Sequence, residues 1–214
     1  MSLSRDKNQL RADQHVRPLL QQLAPIPAKE WRYVEPRLRL QTLGAGQALT
    51  RAGEVADCLG FVVSGLIRKL HVTARGQSFV RGFGGTGSVV GAYVSLLTQQ
   101  PSYLSVEAVE ETRLFVLDWS ELEALYARHV CWQTVGRRFA ETTLLEREAR
   151  AHELLTLSAT ERFARFCASH RALLPRLRNY DIASYLGITP VSLSRLRARA
   201  RTPKRIAPPL LLPD

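Results

Sequence analysis

Arg195, Ser192 and Val191 are the side chains of this 214-residue chain best suited to recognition chemistry. They lie in Asn179 to Ala198, NYDIASYLGITPVSLSRLRA. The Arg195 guanidinium is a planar fork that matches the two acceptors on the edge of a guanine. The Ser192 hydroxyl suits a base or a phosphate, and Val191 suits a thymine methyl. Thr189, Arg197 and Arg199 are better placed for phosphates, which position a protein without reading sequence. For the two arginines, the alternative is a solvated face. Catalysis has no comparable candidates. No nucleophile–base pair, carboxylate pair or phosphate-binding loop emerges from the sequence, so no enzymatic activity is expected. His71 is the sole histidine of its glycine-rich region, whereas a metal site needs clustered ligands. Cys58, Cys131 and Cys167 are odd in number and far apart. They give no disulfide framework and no paired zinc spacing, and they read as free thiols.

The elements around Arg195 follow from its neighbours. Ile182 and Leu186 put apolar groups on one face of a first short helix, and Ala183 is small where a second helix must approach. Gly187 supplies a turn conformation with positive φ. Thr189 caps the second helix and Pro190 fits its first turn. Ile188, Leu193 and Leu196 face back, leaving Val191, Ser192 and Arg195 outward. This is the layout of a DNA-binding helix-turn-helix. A plain helical hairpin is the alternative. Charge favours the first reading: Ser158 to the end carries a net +8 of the chain's +11. A basic segment around an outward-facing helix is a phosphate-binding footprint. An acidic membrane surface is the rival partner, but the basic residues do not form a helix with a wide apolar face. No apolar run is long enough to span a bilayer, and the polar N-terminus has no signal-peptide core, so a cytoplasmic location is expected.

Upstream the texture changes twice. Val16, Leu19, Leu20 and Leu23 repeat at helical spacing until Pro25. A second short helix from Pro27 takes in Trp31 and Val34. From about Leu38 to Leu117, short apolar runs alternate with 11 of the 13 glycines. The runs are QALT, CLGFVVSG, LIRKLHVT, SFVRGF, SVVGAYV, LSVEAV and TRLFVLD, with a hairpin turn at Ala74 to Gln77. Many short strands with frequent turn signals predict a β-sandwich, small barrel or jelly roll. Trp119 to about Thr156 reads as helical, with Asp118 as N-cap of its first part. Val135, Phe139, Thr142, Ala149 and Thr156 give a loose seam for pairing with a second copy, interrupted by Glu146 and Glu153. Packing within its own chain is the alternative. A further helix from Thr160 precedes the helix-turn-helix. The tail, RTPKRIAPPLLLPD, is too proline-rich for a long helix.

Three stretches together resemble the Crp/Fnr regulators: the β-region with VVSGLIRKL and its hairpin, the segment from GTGSVVGAYV through LEAL, and the helix-turn-helix preceded by ERFARF. The resemblance runs from about Leu38 onward. It implies an α+β chain. Residues 1–127 would form an N-terminal sensory domain, a double-stranded β-helix (jelly roll) of the cyclic-nucleotide-binding kind, with leading helices. Residues 128–157 would form a dimerisation helix, and residues 158–214 a C-terminal helix-turn-helix of winged-helix type. Partners implied are double-stranded DNA with a palindromic site and a second copy of the chain, with RNA polymerase left open.

Departures from the family pattern limit what carries over. In cyclic-nucleotide binders the cradle has Gly-Glu for the ribose and then Arg-Ser for the phosphate. Here Gly91 is followed by Ala92, and the later positions are Ser102, Tyr103 and Leu104. A buried phosphate without its arginine loses its charge-assisted partner, so cyclic AMP is not expected to bind in the usual way. No cysteine precedes Cys58 to build an iron–sulfur cluster, and no haem ligands can be assigned. The reading is therefore a transcription regulator with a degenerate pocket, an unknown small effector or none, and no identified cofactor or metal. The alternative is a small-molecule sensor acting through a protein partner, with a vestigial DNA head. A jelly-roll enzyme is a third class, disfavoured by the missing ligand cluster.

Overall fold

The computed structural model describes residues 10–73 and 75–200. Two helices lead, α1 (Ala12–Leu23) and α2 (Ala28–Val34). Val16, Leu20, Trp31 and Val34 are buried against the strands that follow. Eight strands come next: β1 (Arg39–Leu43), β2 (Ala48–Thr50), β3 (Cys58–Ser64), β4 (Ile67–Val72), β5 (Ser78–Gly84), β6 (Val89–Val90), β7 (Leu104–Ala108) and β8 (Thr112–Asp118). They make two four-stranded antiparallel sheets, ordered β1-β8-β3-β6 and β2-β7-β4-β5. Every hydrophobic run read from the sequence contributes a strand. Alternation sets the faces. In β7, Leu104, Val106 and Ala108 are buried, while Ser105 and Glu107 are half-buried on the other face. Val106 and Ala108 join Phe61, Ile67 and Leu114 in the core of the roll. The architecture is a jelly roll, a long helix and a C-terminal helical head.

SVVGAYV is not one strand. Only Val89 and Val90 pair with β3, and Tyr93 opens a short helix, α3 (Tyr93–Thr98). Leu96 is fully buried there. A helix that seats Leu96 in the core ends the strand early. Asp118 stands at the N-cap position of α4 (Trp119–Arg128) but makes no capping bond, contrary to expectation. Its carboxylate pairs with Arg39 across the sheet edge instead.

Helix α5 (Val130–Thr156) follows, capped by the His129 ring, whose Nδ1 accepts the Cys131 N–H at 3.1 Å. A Cβ at Gly136 would lie 2.6 Å from the Tyr126 ring, so glycine is what lets α5 cross α4 this closely. The expected seam on α5 runs from a buried end to an exposed one. Val135 is buried in the core of its own chain, and Phe139 meets Tyr93 edge-on at 5.1 Å. Thr142 and Ala149 are exposed, and the free apolar side chains are Val130 at the first turn and Leu144, Leu145, Leu154 and Leu155 further along. The first turns of α5 pack on the β-roll, which buries Val135 and leaves Phe139 half-buried.

The head begins with α6 (Ala159–Ser169). It starts one residue before Thr160, behind a capping box in which the Ser158 hydroxyl accepts the Glu161 N–H and Glu161 reaches back. Helices α7 (Asn179–Leu186) and α8 (Pro190–Ala200) complete it. The head packs on the outer face of the second sheet. Leu66 joins Phe163, Phe166, Ile182, Leu186 and Leu193 in a second core. The proline-rich tail and any wing lie outside the described residues.

Candidate nucleic-acid interface and effector cradle

The α7–α8 pair is built as its residue types dictate. Gly187 ends α7 in the left-handed region, φ +67°. The N–H groups of Gly187 and Ile188 bond back to the Ser184 and Ala183 carbonyls at 3.1 and 3.0 Å. Thr189 Oγ1 accepts the Ser192 N–H at 3.1 Å, the capping bond expected of it. Ile182, Ala183, Leu186 and Leu193 are at most 1% exposed, and Leu196 is buried beside them. Burying a leucine of this kind is worth about 1.5–3 kcal/mol, so the apolar spacing fixes which side of α8 faces out.

That outer side carries Val191, Arg195 and Arg199, all exposed. Two neighbours are more constrained. The Ser192 hydroxyl lies 2.9 Å from Thr189 Oγ1, so the two share a hydrogen bond. The Arg197 guanidinium donates to Asn179 Oδ1 at the start of α7. It ties the two helices together as well as lying near the outer face. The structure thus brings Thr189, Val191, Ser192, Arg195 and Arg199 onto one surface and turns Arg197 partly inward.

In the β-roll, Gly91, Ala92, Ser102, Tyr103 and Leu104 sit around α3. A Cβ at Gly91 would meet Leu59 Cδ2 at 2.6 Å, and Ala92 is buried. Ala92, Ser102, Tyr103 and Leu104 line one cleft of about 160 Å³, together with Ser95, Thr98 and Gln100. No cation lines that cleft. Its hydroxyls are also occupied. Ser102 Oγ donates to the Leu104 carbonyl at 2.8 Å and accepts the Leu104 N–H at 2.9 Å. Ser95 Oγ donates to the Gln100 carbonyl and accepts the Ala56 N–H at 3.0 Å. Tyr103 is turned toward His71, ring centroids 5.2 Å apart. The Ser95 and Ser102 hydroxyl protons are therefore already donated to backbone carbonyls.

The head–roll contact was not legible in the sequence. Arg68 of β4 bonds Asp181 of α7 at 2.7 Å and Glu107 of β7 at 2.6 Å. The Val80 N–H of β5 donates to Ser184 Oγ at 2.9 Å. Phe83, Phe166, His170 and Tyr185 form an aromatic cluster, with His170 stacked on Phe166 at 4.5 Å. Burial, with a smaller contribution from Arg150, holds the His170 imidazole below its ordinary range. The one available signal was Arg68, a charge inside an apolar strand run.

Cys58, Cys131 and Cys167 are free. Burial pushes the Cys58 thiol up to about 12, with Asp57 adding to the effect. Burial likewise raises Cys131 and Cys167. None is poised as a thiolate. Among the described residues no three His, Cys, Asp or Glu side chains gather as a metal site. Nor is any described helix long and apolar enough to cross a membrane.

Comparison with known proteins agrees with this geometry. Residues 40–129 match the cyclic nucleotide-binding domain. The fumarate and nitrate reduction regulatory protein of Yersinia pestis is 27% identical over 172 residues, covering 75% of this chain and 68% of its own. Patatin-like phospholipase domain-containing protein 6 of Pongo abelii is 35% identical over 85 residues, 40% of this chain. The chain spans only 6% of that relative's length. A Crp/Fnr-family transcriptional regulator from Eubacterium rectale superposes with a TM-score of 0.68 at 14% identity, over 86% of each chain. Together these likenesses show a cyclic nucleotide-binding domain over residues 40–129 and a fold shared with a Crp/Fnr-family transcriptional regulator.

Proposed function

We propose that this protein is a sequence-specific, DNA-binding transcription regulator that reads a palindromic site as a homodimer. One observation carries the proposal. Helix α8 buries Leu193 and Leu196 against α7 and leaves Val191, Arg195 and Arg199 exposed on the opposite side. A second helix anchored on its apolar side, with guanidinium groups on the free side, is built to enter a major groove. Arg195 reads a guanine, Val191 touches a thymine methyl, and Thr189, Ser192 and Arg199 contact backbone or base edges. Arg197, bonded to Asn179, holds α8 to α7 and adds positive field. The exposed leucines of α5 supply the surface that a second copy covers, so the paired heads meet two half-sites.

The cradle around Gly91, Ala92, Ser102, Tyr103 and Leu104 does not take cyclic AMP in the family's manner. Three observations support this. Ala92 replaces the ribose-binding acid, no arginine lines the cleft, and the Ser102 hydroxyl is already engaged.

Selection of sites from a random DNA library tests the reading, using purified protein and an Arg195→Ala variant at two salt concentrations. A palindromic consensus that the variant loses supports it. A weak, steeply salt-dependent association with no consensus, persisting across a metabolite screen, refutes sequence reading and favours a sensor that acts through a protein partner.

A further inference from the structure

Helix α8, with the sequence PVSLSRLRARA, contains no Asp, Glu, Asn or Gln. From Val191 onward its exposed positions are Val191, Ser194, Arg195, Ala198 and Arg199, which recur at the spacing of one helical face. Leu193 and Leu196 are buried on the other side. The two residues of these types in α7 are also spoken for. The Asn179 amide oxygen accepts from the Arg197 guanidinium, and Asp181 is fully buried against Arg68. The face that α8 turns outward therefore carries cations, small apolar groups and one hydroxyl, and no carboxylate or carboxamide.

Base pairs in a major groove are told apart by where they donate, where they accept and where they carry a methyl group. Reading the amino groups of adenine and cytosine takes an acceptor, supplied by a carboxamide or a carboxylate. The side-chain acceptors of α8 are the Ser192 and Ser194 hydroxyls alone. A hydroxyl donates as readily as it accepts, so it separates bases poorly, and that of Ser192 is already shared with Thr189. Arginines only donate, and they fit the two acceptors of guanine. The remaining feature is the methyl group of thymine, which asks for an apolar contact. Val191 offers one: it is 60% exposed at the first turn, although a β-branched residue lowers helix propensity. Arg195 stands one turn further on, about 6 Å along the axis, in reach of a guanine roughly two base-pair steps away.

We propose that Val191 makes α8 a reader of the pyrimidine C5-methyl group, so that 5-methylcytosine takes the place of thymine in the site and binding responds to cytosine methylation. The inference rests on the reading of α8 as a recognition helix. Thymine and 5-methylcytosine carry the same methyl at the same place on the groove wall. They differ in the group at C4, an acceptor oxygen in one and a donor amine in the other. An isopropyl group bonds with neither, so it does not tell the two apart. Uracil and cytosine lack the methyl. Burying one methyl against Val191 is worth about fourfold in affinity.

Modified bases in one half-site test it. The full chain first selects sites from a random DNA library, and the position whose base preference changes in Val191→Ala is located. Fluorescence anisotropy at constant salt then compares duplexes that differ there alone: thymine or uracil opposite adenine, and 5-methylcytosine or cytosine opposite guanine. The wild type should bind uracil about fourfold more weakly than thymine, and cytosine about fourfold more weakly than 5-methylcytosine. Val191→Ala should lose both differences. Val191→Glu, which supplies an acceptor, should favour cytosine over thymine and ignore the methyl. Equal binding of thymine and uracil by the wild type overturns the proposal, as does the lack of any position that responds to Val191→Ala. A methyl preference that persists in Val191→Ala also overturns it, because that preference would belong to the shape of the DNA. In each of these cases a consensus with an Arg195-dependent guanine leaves the regulator reading standing. A library that yields no consensus overturns both.

Discussion

Arg195 and Gly187 carry opposite kinds of information about the head. Arg195 is exposed and unneeded for packing, so its replacement should leave the fold intact. Arg195→Ala should cost about 1–3 kcal/mol of discrimination at one base position. Fluorescence anisotropy on the selected site and on single-base variants reads this directly. Gly187 is the reverse case. A Cβ there would make only an ordinary 3.7 Å contact with Leu154, but its φ of +67° disfavours any side chain. Gly187→Ala should therefore destabilise the head by about 1 kcal/mol through backbone strain alone. Thermal melting checks it, with no change expected in base preference. Both residues were legible in the sequence because their roles are local: a cap, a turn, and an apolar spacing that leaves one side of a helix out. Arg197 was only half legible. Its bond to Asn179 depends on where α7 begins, and spacing does not report that. The engaged Ser102 hydroxyl was likewise invisible, because the Leu104 backbone that occupies it is placed by the sheet.

At the scale of elements, alternation and turn residues gave the strands, and Thr189 gave the start of α8. The rotational setting of α5 was not available in the same way. Its polar and apolar residues are spread around the helix, so no stripe dictates which side meets the β-roll. Packing against Tyr93 and Tyr126 decides it, and it takes Val135 and Phe139 inward. In the proposed dimer the pairing surface is Leu144 and Leu155, respectively 58% and 86% exposed. Leu144→Glu with Leu155→Glu should shift the chain to monomer in sedimentation experiments and weaken operator binding at least tenfold, while leaving the melting temperature of the β-roll unchanged. The contact between α6 and the second sheet carries its own signature. His170 is held neutral by burial against Phe83, Phe166 and Tyr185, with Ser169, Arg150 and Glu153 as its polar neighbours. Its folded value lies below the ordinary 6.5, so the unfolded chain takes up the proton first. Stability from this contact is full above pH 6.5 and falls as the pH drops below it. Urea unfolding between pH 5 and 8 should show that loss, and His170→Phe should flatten it.

For the whole molecule, the decisive contact joins parts far apart in the chain: Arg68 to Asp181, Val80 to Ser184, Phe83 to Tyr185. Sequence periodicity reports how each element presents its faces, not which face of one unit receives another, so this docking had no legible trace beyond a charged strand residue. Asp181 is fully buried, and Arg68 is its one ion-pair partner among the described residues. Arg68→Met strands that carboxylate, with an expected cost of about 3–5 kcal/mol. The head should then detach before the roll unfolds. Limited proteolysis would register this as earlier cleavage between α5 and α6, and Arg68→Met with Asp181→Leu should recover much of the loss. The same docking also has a colloidal consequence. Strand β5 is the end strand of its sheet, and α7 lies over it, with Ser184 satisfying the Val80 N–H. A head that swings away uncovers a row of unpaired backbone donors and acceptors beside the exposed Phe79. Such a row is a template for adding a strand from another molecule. Docked, the head protects the protein from self-association; undocked without DNA or a second copy to occupy it, the protein becomes prone to aggregate.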